Sequence, residues 1–488
     1  MLVFNVMLDL SMQFVKIIIF LFVANTTFSL EEYRIFTNNK GISIEARVLS
    51  LQGDDVTIIR KSDNRKFTIG VKNFSQNDRE FLGNWSIKEI EDTEGISFEE
   101  INKVIGEPVF SKESLWESSP KTVADRLKWK QESLTKFSES YRKYPRTEYS
   151  FLGAHPHSLA LYGNNDKVTR VSIVYANKGD SFKALGSATE HFDKNETTSK
   201  EIKNFKKAME HDVEIITSNL SSLLGDPTNQ KFGEGESRTS VKRWDWSGHA
   251  FLLSHVPEEY VALAIETVKF SDNKGKVART SDSIIRKKIR SCIEVRENND
   301  VVINNIPMVD QGPKGYCAPA TVERCMRFMG IPADMYLLAN IGETGIGGGT
   351  SMETLLENIG RDIKRKGRSF EEFNGDLKMR TIKKLINDGI PIIWGMQSTD
   401  QFNKLANTTS MMRNNDDWED YKKNISNIQD TKLSNDKNRS HVVIIIGYNE
   451  DSEEIAFSDS WGDRYKERWI SLKQGRQISN GRYYTISL

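Results

Sequence analysis

Apolar and polar residues alternate along the first part of the chain, between Tyr33 and Trp85. The alternation runs through the segments ISIEARVLSLQ, VTIIRKS and KFTIGV, which are separated by turn sequences at residues 53–55 and 63–65. A period of two residues is typical of antiparallel strands with one buried face. The segment VKNFSQNDREFLGNW then predicts a capped helical turn. We therefore predict a small β module over residues 30–90.

Between residues 95 and 275 the pattern changes to helices followed by groups of strands. The segments SFEEINKVIGEP and ITSNLSSLLGDP each predict a helix ended by glycine and then proline, and a charged helical stretch lies between them. This order predicts a central α+β region, with a duplicated helix-plus-sheet unit as one arrangement. His249 and His255 lie in or beside its last strands, without further ligands at matching spacing. We interpret them as hydrogen-bonded structural residues and predict no metal site.

The last part of the chain begins after a charged segment, residues 276–300, which predicts a linker or an exposed entry helix. Over residues 301–488, Cys317 is followed by Pro319 and by apolar residues at helical spacing, so a helix should begin near Cys317. HVVIIIGY and EIAFSDS predict two buried strands joined by a turn at residues 449–452.

A glycine-rich segment, IGETGIGGGTSMETLLENI, follows that helix. Its glycines would let a substrate backbone approach, although a flexible connector is an equally good interpretation. Thr350 and Glu353 predict a capping box for the next helix. The segment TIKKLINDGIPIIWGM then predicts a helix, a turn at Gly389 and a strand.

Length and charge narrow the classes of protein that fit. A chain of 488 residues is too long for one core and predicts about three domains. Lys+Arg and Asp+Glu number 68 each, so no overall field favours nucleic acid as a partner. The three cysteines, Cys292, Cys317 and Cys325, form no disulfide framework. On one helix Cys317 and Cys325 would lie about 12 Å apart, beyond disulfide reach.

The first thirty residues carry the pattern of a secretory signal. An apolar run over residues 17–24 follows Lys16, and small residues precede Leu30. An uncleaved anchor is the alternative, but the uncharged run is shorter than the ~20 residues that a membrane span needs. We therefore predict a signal peptide over residues 1–29 and an exported protein without a stable membrane span after cleavage.

Four residues of the last region carry the candidate chemistry. His441 is the only histidine after residue 300, and Asp459 follows eighteen positions later. A thiol becomes a good nucleophile when an imidazole takes its proton and a third group fixes that imidazole, so Cys317, His441 and Asp459 supply three matching roles. The N-terminus of a helix also lowers the pKa of a thiol. Gln311, six positions before Cys317, could donate a hydrogen bond to an oxyanion.

These residues resemble the papain-like cysteine peptidase superfamily, and more closely its bacterial branch related to bacteriocin-processing leader peptidases. The resemblance covers residues 301–488. It implies that Gln311 is the oxyanion donor, Cys317 the nucleophile, His441 the acid/base and Asp459 the orienting residue, with Trp461 shielding the last pair from water. Papain carries asparagine where Asp459 stands, whereas the leader-peptidase branch carries aspartate.

The sequence thus predicts an α+β multidomain protein with a papain-like C-terminal fold. The module at residues 30–90 resembles SH3-like barrels related to the Sla-type homology domain, which would serve as a spacer or bind peptides. The predicted function is hydrolysis of peptide or isopeptide bonds in a peptide or protein substrate, without a cofactor. Two alternatives stay open: a catalytically idle binding module, and a transglutaminase-like acyl transferase. Nothing in the sequence selects a substrate.

Overall fold

The computed structural model describes most of the chain, namely residues 33–52, 55–63, 65–83, 95–181, 199–312, 315–345, 349–415, 417–434 and 439–488. The predicted signal peptide over residues 1–29 lies outside these ranges. The chain divides into two compact units, Met1–Gly95 and Ile96–Leu488. Within the ranges given above, no helix is both long enough and apolar enough to cross a membrane.

The first unit contains one four-stranded antiparallel sheet whose strands follow one another in chain order. Its strands are β1 (Arg34–Thr37), β2 (Ser43–Gln52), β3 (Asp55–Arg60) and β4 (Lys66–Gly70). Residues 76–83 are helical. Alternate residues of β3, Val56 and Ile58, are fully buried in a small core, as a half-buried strand requires. The predicted strands are therefore present, and the SH3-like barrel stays a prediction.

The second unit begins with a sheet of eight antiparallel strands in the order β5-β6-β7-β8-β12-β11-β10-β9. These strands are β5 (Lys130–Leu134), β6 (Glu139–Lys143), β7 (Ser158–Asn164), β8 (Lys167–Asn177), β9 (Thr228–Phe232), β10 (Thr239–Trp246), β11 (His249–Val256) and β12 (Tyr260–Thr267). The helices of this region are α1 (Phe98–Ile105), α2 (Pro120–Leu127), α3 (Lys178–Ser181), α4 (Ser199–Leu224) and α5 (Val268–Asp272).

Two meanders of four strands make up this sheet, and they meet at β8 and β12. Helix α1 is bounded as its sequence predicts, because Ser97 and Glu100 form a capping box and Gly106 adopts the left-handed conformation. The charged helical stretch and the helical part of ITSNLSSLLGDP form one continuous helix, α4. The arrangement is the α+β region that the sequence predicts, while the duplication itself stays a prediction.

His249 is buried in this region beside aromatic rings. Its Nδ1 lies 3.2 Å from the carbonyl oxygen of Trp246, whose ring stacks on the imidazole. Burial lowers the pKa of His249 to about 4, so the ring is neutral at pH 7. Among the described residues, no group of three or more histidines, cysteines and carboxylates could hold a metal ion.

The rest of the second unit consists of helices around a third sheet, which is also antiparallel. Its main path is β13-β14-β17-β16-β20-β15, and β18 joins β17 to β19. The strands are β13 (Ile293–Val295), β14 (Val301–Ile303), β15 (Ser369–Asn374), β16 (Ile392–Gln397), β17 (Ser440–Asn449), β18 (Glu454–Ser458), β19 (Arg468–Ser471) and β20 (Ser479–Ser487). The helices are α6 (Asp282–Arg290), α7 (Cys317–Phe328), α8 (Met335–Ile341), α9 (Met352–Arg365), α10 (Met379–Asn387), α11 (Asp400–Asn415), α12 (Trp418–Gln429) and α13 (Leu472–Ile478).

Helix α7 packs against β17, and this contact lies in the largest hydrophobic core that the described residues form. The segment expected to be a linker or an entry helix, residues 276–300, contains helix α6 and strand β13. One local prediction is wrong: the cap of α9 is Ser351, whose side chain accepts a hydrogen bond from the amide of Thr354. The Thr350 hydroxyl instead lies 2.6 Å from that of Thr344, because a hydroxyl partner from the preceding loop is within reach.

Candidate active site

Cys317 is the first residue of helix α7 and is partly exposed, whereas Cys292 and Cys325 are buried. Burial alone would raise the pKa of the Cys317 thiol. Hydrogen bonds with His441 and with backbone groups of Val442 and Ala318 outweigh burial, so that the pKa lies below its ordinary value. The opposite holds for Cys325, where burial raises the pKa to about 12. Of these two thiols on α7, Cys317 is therefore the one with the lowered pKa that a nucleophilic thiol needs.

His441 lies at the start of β17, and Asp459 directly follows the end of β18. The two strands pair so that Ile444 faces Ser458, which brings the imidazole and the carboxylate together. His441 Nε2 is 2.8 Å from Asp459 Oδ1, and both side chains are buried. Because Nε2 is engaged by Asp459, Nδ1 is the nitrogen left for the Cys317 thiol.

The surroundings of Cys317 and His441 favour the charged form of this pair. Burial opposes the imidazolium, but hydrogen bonds and charges of Asp459 and Cys317 raise the pKa of His441 to about 9. Burial likewise opposes ionisation of Asp459, while His441 and Arg468 hold the pKa of its carboxyl below the ordinary value. Both shifts therefore favour the thiolate–imidazolium pair over the neutral thiol and imidazole.

Gln311 and Trp461 complete the surroundings of this pair. A cavity of about 600 Å³ is lined by Gln311, Cys317, His441 and Trp461, with glycines of the surrounding loops in its wall. The indole of Trp461 stacks on the imidazole of His441, with 4.7 Å between ring centroids. Three of the four predicted site residues, Gln311, Cys317 and His441, thus line one cavity. Asp459 is not among the lining residues and contacts His441 at Nε2. Their catalytic roles stay predictions.

A buried arginine, Arg468, binds the side of Asp459 that faces away from His441. Its Nη1 donates to Asp459 Oδ2 at 2.7 Å, and its Nη2 donates to the carbonyl and the side-chain oxygen of Asn403, both at 3.1 Å. Arg468 is only 2% exposed. The carboxylate therefore has a charged hydrogen-bond partner on each oxygen, which fixes its orientation. The sequence analysis did not identify Arg468. The feature that could have indicated it is a charged residue within the short apolar strand β19.

A second buried arginine, Arg324, ties helix α7 to the segment that carries Asp459. Its Nη2 donates to Ser458 Oγ at 2.5 Å, its Nη1 donates to Ser460 Oγ at 3.2 Å, and its Nε donates to the carbonyl oxygen of Pro307 at 2.9 Å. Burial lowers the pKa of Arg324 to about 10, which leaves it charged at pH 7. Arg324 thus links the helix of Cys317 to residues on both sides of Asp459, a role that no local pattern in the sequence indicated.

Comparison with known proteins bears on the C-terminal part of the chain. No curated protein matches this sequence. The model of the Peptidase_C39 like family matches residues 303–487, which include all four predicted site residues. The match spans fewer than half of the 488 residues, so it supports an assignment of this region and not of the whole chain. It supports the assignment of residues 303–487 to the C39 or papain-like cysteine peptidases.

Proposed function

We propose that this protein is an exported cysteine peptidase that hydrolyses peptide or isopeptide bonds through Cys317, His441 and Asp459. One observation carries the proposal: the Cys317 thiol with a lowered pKa lies in the same cavity as His441, whose other nitrogen is held by a buried carboxylate. Such a chain of nucleophile, base and orienting group is the arrangement that thioester chemistry needs. Export rests on the sequence pattern of residues 1–29 alone.

The proposed reaction proceeds in two steps. The Cys317 thiolate attacks the carbonyl carbon of the scissile amide, and the oxygen becomes negatively charged near Gln311 and the backbone amide of Cys317. As the C–N bond breaks, His441 gives its proton to the leaving amine and a thioester remains on Cys317. His441 then takes a proton from water, which attacks the thioester, releases the carboxylic acid and restores the thiolate.

The test is to incubate the mature protein and its Cys317→Ala variant with a library of peptides and to identify the products by mass spectrometry. Cleavage by the wild-type protein alone supports the proposal. If neither protein cleaves while a thiol-reactive peptide analogue labels Cys317, the region binds peptides without hydrolysing them. A parallel reaction with an added primary amine distinguishes hydrolysis from acyl transfer, because transfer gives the peptidyl amide in place of the acid.

A further inference from the structure

The segment that carries Gln311 is held by residues from the central eight-stranded sheet. We call residues Pro307–Gly312 the glutamine loop. The backbone amide of Asp310 donates to Glu132 Oε1 at 2.9 Å, and Tyr144 donates its hydroxyl to the carbonyl oxygen of Asp310 at 2.8 Å. Glu132 belongs to β5, and Tyr144 directly follows β6. Both backbone hydrogen-bonding groups of Asp310, the residue before Gln311, are thus bound by residues of the central region.

The amide of Met308 likewise donates to Ser133 Oγ of β5 at 3.0 Å, whereas two further amides of the loop are bound within the C-terminal region. The amide of Gln311 donates to the carbonyl oxygen of Ser460 at 2.9 Å, and the amide of Gly312 donates to Asp310 Oδ1 at 3.0 Å. Gly312 has a φ of 69°, and a Cβ atom there would lie 3.0 Å from the ring of Tyr144. Glycine suits this position best, because a side chain would be strained by the backbone conformation and crowded by the ring of Tyr144. Tyr144 therefore lies against the residues on both sides of Gln311.

Glu132 is itself held rigidly. It is 7% exposed, and its carboxylate accepts hydrogen bonds from Arg142 Nε at 2.5 Å and from Ser140 Oγ at 2.9 Å, in addition to the amide of Asp310. A buried carboxylate with all its partners present is a stiff support, since moving it would leave charged groups unpaired. The glutamine loop is thus attached to a part of the sheet that has little freedom to move.

The residue before the nucleophile has a similar attachment. The hydroxyl of Tyr316 donates to Asn177 Oδ1 at 2.6 Å, at the end of β8, and Tyr316 is fully buried. Gly179 allows this contact, because a Cβ atom there would lie 2.3 Å from the Tyr316 hydroxyl oxygen. Residues next to both Gln311 and Cys317 are therefore fixed by the central region, which lies outside the 303–487 family match.

We propose that Tyr144 and Glu132 are positioning residues for Gln311, so that the central sheet sets the turnover rate of the peptidase site. The proposal rests on the function proposed above. An oxyanion donor works only when it is held close to where the negative charge develops, and a shift of about 1 Å in a reacting group can cost about 100-fold in rate. Neither Tyr144 nor Glu132 lines the cavity of Cys317, so the substrate affinity should change little.

The experiment compares Tyr144→Phe with Tyr175→Phe in the full mature chain. Tyr175 is a matched control: its hydroxyl donates at 3.1 Å to the carbonyl oxygen of Phe151, within the central region and away from the glutamine loop. We expect Tyr144→Phe to lower kcat about tenfold with KM within about twofold, as the loss of one positioning hydrogen bond implies. Tyr175→Phe should keep both constants.

Two further measurements separate positioning from a general loss of structure. In a Gln311→Ala background, Tyr144→Phe should change kcat less than about twofold, because the group that it positions is already absent. Amide hydrogen exchange should be faster in a peptide covering residues 308–312 for Tyr144→Phe, and unchanged there for Tyr175→Phe. An equal fall in kcat in both backgrounds, or unchanged exchange in that peptide, would overturn the proposal.

The exchange measurement needs no turnover. A wild-type protein without peptidase activity would therefore refute the proposed function, while faster exchange over residues 308–312 in Tyr144→Phe would still support the attachment of the loop to the central sheet.

Discussion

Replacing Asp459 by asparagine tests the electrostatics of the site without changing its shape. The amide keeps an oxygen that can accept the hydrogen bond from His441 Nε2, now 2.8 Å from Asp459 Oδ1, but it lacks the negative charge. The imidazolium loses the stabilising charge beside it, so the pKa of His441 should fall. The thiolate–imidazolium pair is lost on the alkaline side when His441 gives up its proton, and the basic limb of activity should therefore move to lower pH.

The size of the effect follows from the pKa of His441, which is raised from 6.5 to about 9 although burial opposes it. Asp459 and Cys317 together must outweigh burial by roughly 3 kcal/mol, since one pKa unit corresponds to about 1.4 kcal/mol. If the two partners contribute comparably, Asp459→Asn should move the basic limb down by about one pH unit. Activity should be reduced and not abolished, because the imidazole is still oriented.

The assay is the pH dependence of kcat/KM for the wild-type protein, Asp459→Asn and the control Asp463→Asn. Asp463 lies four residues further on, with a side chain 75% exposed and paired with Lys466 at the surface. Its variant should keep the wild-type profile. An unchanged basic limb in Asp459→Asn, or an equal shift in both variants, would refute the assignment of Asp459 as the charged partner of His441. Unfolding should be followed in parallel, because the substitution also removes a partner of buried Arg468.

Four further substitutions have separate outcomes. Cys317→Ala should abolish turnover with the fold intact, whereas Cys325→Ala should keep activity and lower the free energy of unfolding by about 1 kcal/mol, as measured by peptide cleavage and urea denaturation. Gln311→Ala should lower kcat about 100-fold with little change in KM, and the reverse pattern would make Gln311 a substrate contact. Arg468→Met should lower the free energy of unfolding at pH 7 by about 3–5 kcal/mol, because the buried Asp459 carboxylate would lose one of its two charged partners. The difference in the free energy of unfolding between the wild-type protein and Arg468→Met should narrow as the pH falls through the lowered pKa of Asp459, because the carboxyl then becomes neutral. A difference that does not change with pH would contradict the ion pair.

The sequence alone located the elements that carry the site. Helix α7 begins at Cys317 as predicted, because apolar spacing and a proline in the first turn are local signals. Strands β17 and β18 appear where continuous apolar segments predict them, and their pairing brings His441 and Asp459 together. The choice of His441 needed no structure, since it is the only histidine in that part of the chain.

Only the tertiary structure supplied the groups that hold the site in place. Tyr144 and Asp310 are 166 positions apart, and Arg324 reaches Ser458 across 134 positions. Periodicity reports which face of an element is buried, and it carries no information about which distant residue lies opposite. A buried charge is tolerated only where such partners converge, so its burial is decided by the packing of several elements and cannot be read from any one of them.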